Sequence, residues 1–189
     1  MELAHEVARP VEESTRIIWQ VAVACLCRMD EVADRVNAGL VSDIFRAIVP
    51  ECANGTVQLC VIARSTNYHR TKVIVAAAYG SHINAIALCI GRKGKRIRQI
   101  KTDAGGGRVD LIDGNAPQEI QVLQALGFRK SEYAATTVSL GQRAGKASTI
   151  VRVGVPHIAR EAVGYLGGNI HLANRILGKN IVIDGNKLS

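Results

Sequence analysis

The residues best suited to chemistry in this chain form a glycine-bracketed basic loop, Gly91-Arg92-Lys93-Gly94, followed at once by Lys95, Arg96, Arg98 and Lys101. Glycine lacks a Cβ, so the two brackets let the backbone turn tightly and come close to a ligand. A helix carrying Ile97 and Ile100 starts near Lys95, and its free N–H groups and positive dipole end face the loop. Phosphate is the group such a site favours. Ile90 and Ile97 on either side can wall a narrow groove for bases, so the expected chemistry is a clamp on about four nucleotides of a single strand. A helix junction with a merely solvated charged face would show the same four residues. The basic density and the order of elements around the loop favour the clamp. The spacing excludes a P-loop, since no Gly-x-x-x-x-Gly-Lys-Ser/Thr occurs. Gly105-Gly106-Gly107 follows a helix rather than a strand, which excludes a dinucleotide fingerprint.

The elements that must hold this loop can be read from periodicity. Leu40, Ile44, Phe45 and Ile48 form an apolar helical stripe that Pro50 closes. Thr56 to Arg64 and Thr71 to Ala77 read as two strands joined by the polar link 65–70. Ile83, Ile86, Ala87 and Ile90 then fall on one helix face, the loop interrupts, and Ile97 and Ile100 resume. Val109 and Leu111 begin a strand that Asp113-Gly114 ends. Asp103, Asp110 and Asp113 read as caps or solvated ends.

The second half repeats this order. Tyr133 to Leu140 and Ser148 to Val155 read as strands, and Ile158, Ala162 and Val163 start a helix. Gly164-Tyr165-Leu166-Gly167 interrupts it, and Ile170, Ala173 and Leu177 continue it before Ile181 and Ile183. Laying Gly91 on Gly164 places Gly94 on Gly167 and Ile97 on Ile170 without a gap. The second loop keeps its glycines but has lost the basic pair, which makes it the weaker clamp. Asn169, His171, Asn174, Arg175 and Lys179 remain as candidate contacts, and Tyr165 as either a stacking platform or a packing residue.

Composition supports a polyanionic partner: 24 Lys and Arg stand against 16 Asp and Glu, a net charge of +8. Hydrophobic residues at 48% allow a core, and aromatics at 4% make that core aliphatic. The best membrane candidate, Ile17 to Cys27, is too short and holds Gln20. Acidic Glu12 and Glu13 before it are the wrong flank for a secretory signal, so it reads as a buried helix. Cys25, Cys27, Cys52, Cys60 and Cys89 show no ligand spacing and read as reduced cytoplasmic thiols. His5, His69, His82, His157 and His171 likewise assemble no catalytic or metal motif. The expectation is a cytoplasmic, non-enzymatic binding protein without cofactor, metal or membrane span.

Several segments resemble the NusA family of bacterial transcription factors. From Leu40 to Leu126 the chain is similar to the first NusA KH domain. The matching features are Phe45-Arg46-Ala47-Ile48-Val49-Pro50-Glu51, Gly55-Thr56-Val57, Ile62-Ala63-Arg64, Arg70-Thr71-Lys72-Val73, the run from Cys89 to Ile100, and Arg108 to Ile112. Val155-Pro156, Ala162-Val163-Gly164 and Gly167 to Ala173 resemble the second. The resemblance implies an α+β fold of two tandem type II KH domains, 39–115 and 116–189, behind a helical N-terminal segment, 1–38. Relative to that family this reads as a short form without the polymerase-binding domain and oligonucleotide-binding barrel. It implies binding of single-stranded RNA in transcription elongation, termination or antitermination, with RNA polymerase as a further partner. Binding would fall to Ile90, Gly91, Arg92, Lys93, Gly94, Lys95, Arg96 and Arg98, and secondarily to Gly164, Gly167, Asn169 and His171. Two other readings stand beside it. One is an RNA-binding factor of ribosome assembly or small-RNA function; the other is a protein-interaction module in which the N-terminal segment with Trp19 docks a partner.

Overall fold

The computed structural model describes residues 37–143 and 145–184. The expectations for Ile17 to Cys27, Trp19 and most of the N-terminal segment fall outside these residues. Helix α1 (residues 37–48) buries Val41 and Phe45, and Val49 beyond its end. It stops before Pro50, which lacks an N–H and instead opens the one-turn α2 (Pro50–Ala53). Strand β1 (Val57–Ser65) pairs antiparallel with β2 (Arg70–Ala77), with a register shift between Leu59 and Val61. Strand β3 (Arg108–Asp113) runs parallel to β2. A parallel neighbour requires a crossover, supplied here by α3 (Ala85–Ile90), the loop, and α4 (Lys95–Asp103).

The second unit repeats this with α5 (Gln118–Leu126), β4 (Thr136–Arg143), β5 (Lys146–Val153), α6 (Pro156–Val163), α7 (Gly168–Leu177) and β6 (Ile181–Asp184). Its sheet has the same order and the same parallel outer pair. The chain is therefore α+β, two αββααβ units in tandem. The second hairpin starts three residues later than its apolar pattern suggests. Residues 130–135 form a 3-10 turn, held where the Arg129 N–H donates to Glu132 Oε2 at 2.7 Å. It also ends two residues earlier, where the chain bends at Gly154 and Val155 before α6 opens at Pro156.

Each sheet packs its own helices on one face. In the first unit, Val57, Val73 and Val75 meet Val41, Phe45, Val49, Cys89 and Ile100. The opposite face of this sheet is not solvated. Ala63, Ile74 and Ile112 join a second core with Val122, Leu123 and Leu126 of α5 and Leu172, Ala173 and Ile176 of α7. Strand β2 is thus buried from Thr71 to Ala76. Gly168 completes the seam, because a Cβ there would stand 2.5 Å from the Tyr68 ring. In the second sheet, the pair in register with Ile74–Ile112 is Arg152–Asp184, an ion pair at 3.9 Å on a solvated face. Among the described residues no helix is long and apolar enough to cross a membrane.

Candidate nucleic-acid interface

The first loop is held from both sides. Helix α3 is capped where Asn84 Oδ1 accepts from the Ala87 N–H at 2.9 Å. It ends at Gly91, whose φ of 70° and ψ of 172° suit glycine alone. Lys93 (φ 51°, ψ 27°) and Gly94 (φ 71°, ψ 20°) are left-handed. The Gly94 N–H closes the turn on the Gly91 carbonyl at 2.9 Å. No side chain caps the first turn of α4, whose first N–H, that of Lys95, donates to the Arg92 carbonyl within the loop. Arg92, Lys93, Lys95 and Arg98 are exposed, and none makes an ion pair among the described residues.

Arg96 differs from that expectation. Its Nη1 donates to Glu51 Oε2 and to the Leu88 carbonyl, both at 2.9 Å, and its stem lies under Gly91. It ties the loop to α2 and α3 rather than reaching outward. Behind the loop runs a groove of about 350 Å³, lined by Ile86, Ile90, Ile97, Val109 and Leu111 on one wall. Arg108, Gln124, Gly127 and Phe128 form its far side. Its floor follows β3, the edge strand of the first sheet. The sequence points to Ile90 and Ile97. The far side, built by the C-terminal end of α5, has no local signal.

The second loop repeats the backbone almost angle for angle: Gly164 at φ 76°, ψ 173°, Leu166 at φ 47°, ψ 29°, and Gly167 at φ 75°, ψ 8°. Its tip is apolar, with Tyr165 82% and Leu166 78% exposed. His171 is exposed on α7. Asn169 sits elsewhere than a surface contact requires. It is 2% exposed, and its Nδ2 donates at 2.8 Å to the carbonyls of both Leu126 and Ala162. It fastens α7 to the ends of α5 and α6, so its amide has no surface to offer.

Asp110 also departs from its reading as a cap or solvated end. It lies buried mid-strand and accepts from Arg70 Nε (2.7 Å), Lys72 Nζ (2.9 Å) and Arg108 Nε (2.7 Å). Burial would push its carboxyl up, but Lys72, Arg70 and Arg108 together hold it below the usual range. Lys72 Nζ also donates to the Ala125 carbonyl at the end of α5. Asp103 and Asp113 do stand at element ends, of α4 and β3, where they accept from Gln99 Nε2 and the Asn115 N–H. Among the described residues no cluster of His, Cys, Asp or Glu is placed to hold a metal.

Two αββααβ units with glycine loops between their paired helices define the fold, and the sequence matches say what the chain is similar to. Residues 35–114 match the NusA-like first KH domain. This chain is NusA-like. The transcription termination/antitermination protein NusA of Mycobacterium tuberculosis is 32% identical over 152 residues, covering 80% of this chain and 41% of that one. The NusA of Thermus thermophilus is 28% identical over 158 residues, 84% of this chain and 38% of its own. That of Bacillus subtilis is 29% identical over 150 residues, 79% and 38%. The chain thus spans about two fifths of the length of these NusA relatives. Among solved structures, the crystal structure of APE1850 aligns over 76% of this chain and 95% of that one, with a TM-score of 0.49 at 16% identity. The NusA-like assignment rests on the sequence matches and not on this likeness.

Proposed function

We propose that this NusA-like chain binds single-stranded RNA and acts without catalysis in transcription termination or antitermination. The observation that carries the reading is the juxtaposition at the first loop. A groove with an apolar wall lies beside four exposed cations that make no ion pair among the described residues, at a helix first turn without a side-chain cap. Bases would lie against Ile86, Ile90, Ile97 and the edge strand. The phosphates between them would meet the N–H groups of the α4 first turn and the charges of Arg92, Lys93, Lys95 and Arg98. The relatives' names supply the transcriptional setting, and RNA polymerase is the further partner that setting suggests.

Changing Arg92 and Lys93 together to Asp tests the clamp. Both are exposed and unpaired, so thermal unfolding stays unchanged while affinity for a single-stranded RNA oligomer collapses. If about four phosphates are neutralised, log affinity falls against log salt with a slope near −3. Unchanged affinity in the double variant, or a flat salt response in the parent, would sink the reading.

A further inference from the structure

The seam between the units holds an unbalanced charge cluster. In the parallel register Arg70 stands opposite Arg108, and Lys72 opposite Asp110. Like charges directly opposite on neighbouring strands repel. Here the single carboxylate of Asp110 serves all three cations, through Oδ2 to Arg70 and Lys72 and through Oδ1 to Arg108. Three positive charges thus meet one negative charge. The C-terminal end of α5, through the Ala125 carbonyl, offsets only about half a charge more. The strain is visible at Lys72, whose side chain is fully buried. Burial first, then Arg70 and Arg108, push its ammonium down to about 8 against the pull of Asp110.

The fold itself does not require these charges. In the second unit, where β5 and β6 repeat the same parallel pairing, Ile150 and Val182 stand where Lys72 and Asp110 do. Ser148 and Asn180 precede them, joined by a neutral hydrogen bond of 2.8 Å. The excess charge is also aimed at the groove. Arg108 and Asp110 line it, and the Arg108 side chain is 59% exposed. A Cβ on Gly127 would stand 3.1 Å from Arg108 Nη2 and 3.4 Å from Arg70 Nη2. Both guanidinium ends therefore converge on one spot on the groove's far side, left clear by a glycine with φ of 85°.

We propose that Arg108 and Arg70 form a second phosphate site, opposite the glycine loop, which binds a backbone phosphate of the RNA strand as it leaves the groove toward the second unit. This rests on the RNA-binding reading for its ligand. The incoming anion supplies the counter-charge that Asp110 alone cannot, and planar guanidinium groups suit a bidentate grip on phosphate.

The test uses the full chain, a fluorescent uridine oligomer of about eight nucleotides, and a salt titration. Arg108→Gln should flatten the log–log salt slope by about 0.7, the share of one phosphate on a single strand. It should weaken affinity about fivefold at 0.1 M salt relative to 1 M. Arg108→Lys should restore the slope. Because Arg108→Gln removes a half-exposed ion pair to Asp110 and, with it, a like charge beside Arg70 and Lys72, its unfolding midpoint should move little. Loss of binding that Lys fails to rescue, or that accompanies a fall in midpoint, would mark a packing role and overturn the proposal. An Arg92→Gln, Lys93→Gln variant separates the two readings. If it loses affinity while Arg108→Gln keeps both affinity and slope, the second site is wrong and the loop clamp stands. If only Arg108→Gln flattens the slope, the second site holds and the loop clamp fails.

Discussion

The two glycines of each loop should not be equivalent. Gly94 occupies an ordinary left-handed conformation, and a Cβ there meets nothing closer than the far end of the flexible Arg98 side chain at 3.0 Å. Alanine at that position should cost about 1 kcal/mol, the penalty of a left-handed non-glycine residue. Gly91, at φ 70° and ψ 172°, lies in a region costing roughly 1–3 kcal/mol for any other residue. Its Cβ would also fall 2.7 Å from Arg96 Cγ, at the base of the side chain, where the tip cannot swing to relieve it. Moving Arg96 loosens its bonds to Glu51 and Leu88. These are half-exposed, so they add about 1 kcal/mol rather than the full worth of a buried charged bond. Gly91→Ala should therefore destabilise by about 3 kcal/mol against about 1 kcal/mol for Gly94→Ala. The second loop repeats the inequality, since a Cβ on Gly164 meets Asn169 Cβ at 2.7 Å and its backbone nitrogen at 3.0 Å. On Gly167 it meets nothing closer than 4.0 Å. Urea unfolding of the four variants reads the difference directly as a shift in midpoint at constant slope. Equal costs at Gly91 and Gly94 would refute the account of how Arg96 braces the loop.

Five further outcomes follow from contacts described above. Lys72 titrates near 8 when folded against 10.5 when unfolded, so the unfolded chain binds the extra proton. Stability should then rise by up to about 3 kcal/mol from pH 8 toward 10.5, a limb that Lys72→Met should flatten in urea titrations. Asp110 is held below 3.8, so the stability it contributes is present above that pH and is lost in acid as pH falls through its lower folded value. Asn169→Ala strands two buried carbonyls and should cost about 2–3 kcal/mol of unfolding free energy. Tyr165→Arg with Leu166→Lys restores charge on a backbone already shaped for it, and should steepen the salt slope of a long RNA oligomer by about 0.7 per added phosphate contact. Peptide mapping after brief maleimide treatment should find Cys60 labelled and Cys52 and Cys89 protected until urea opens the core.

The parts legible in the sequence are those with local period. The apolar spacing of Ile86, Ile90, Ile97 and Ile100, the glycine brackets, and the Gly91-to-Gly164 phase all give the duplicated αββααβ order. The parts that were not legible depend on partners far along the chain. Arg96 looks like one more loop cation until Glu51, 45 residues away, is seen beside it. Asn169 looks like a polar helix residue until the carbonyls of Leu126 and Ala162 close around it. Asp110 looks like a strand end, yet β2 lays Arg70 and Lys72 on the same face. One signal was present: charges at every second position, 70 with 72 and 108 with 110, on strands whose other residues are mostly apolar. Such alternation marks a face that is polar or bridged, and only the docking of α5 shows which.

The unlike faces of the two sheets bear on how such units can accumulate. The first sheet accepts α5 and α7 because Ile74 and Ile112 present a dry surface to them. The corresponding pair in the second sheet is Arg152 and Asp184. Laying a third unit there in the same way would strip water from both ions, at several kcal/mol each before any contact is gained. The stacking is therefore self-limiting. It joins two units into one body but offers no template for a third, so the fold that duplicated once is guarded by two side chains against open-ended growth into a solenoid or a fibre.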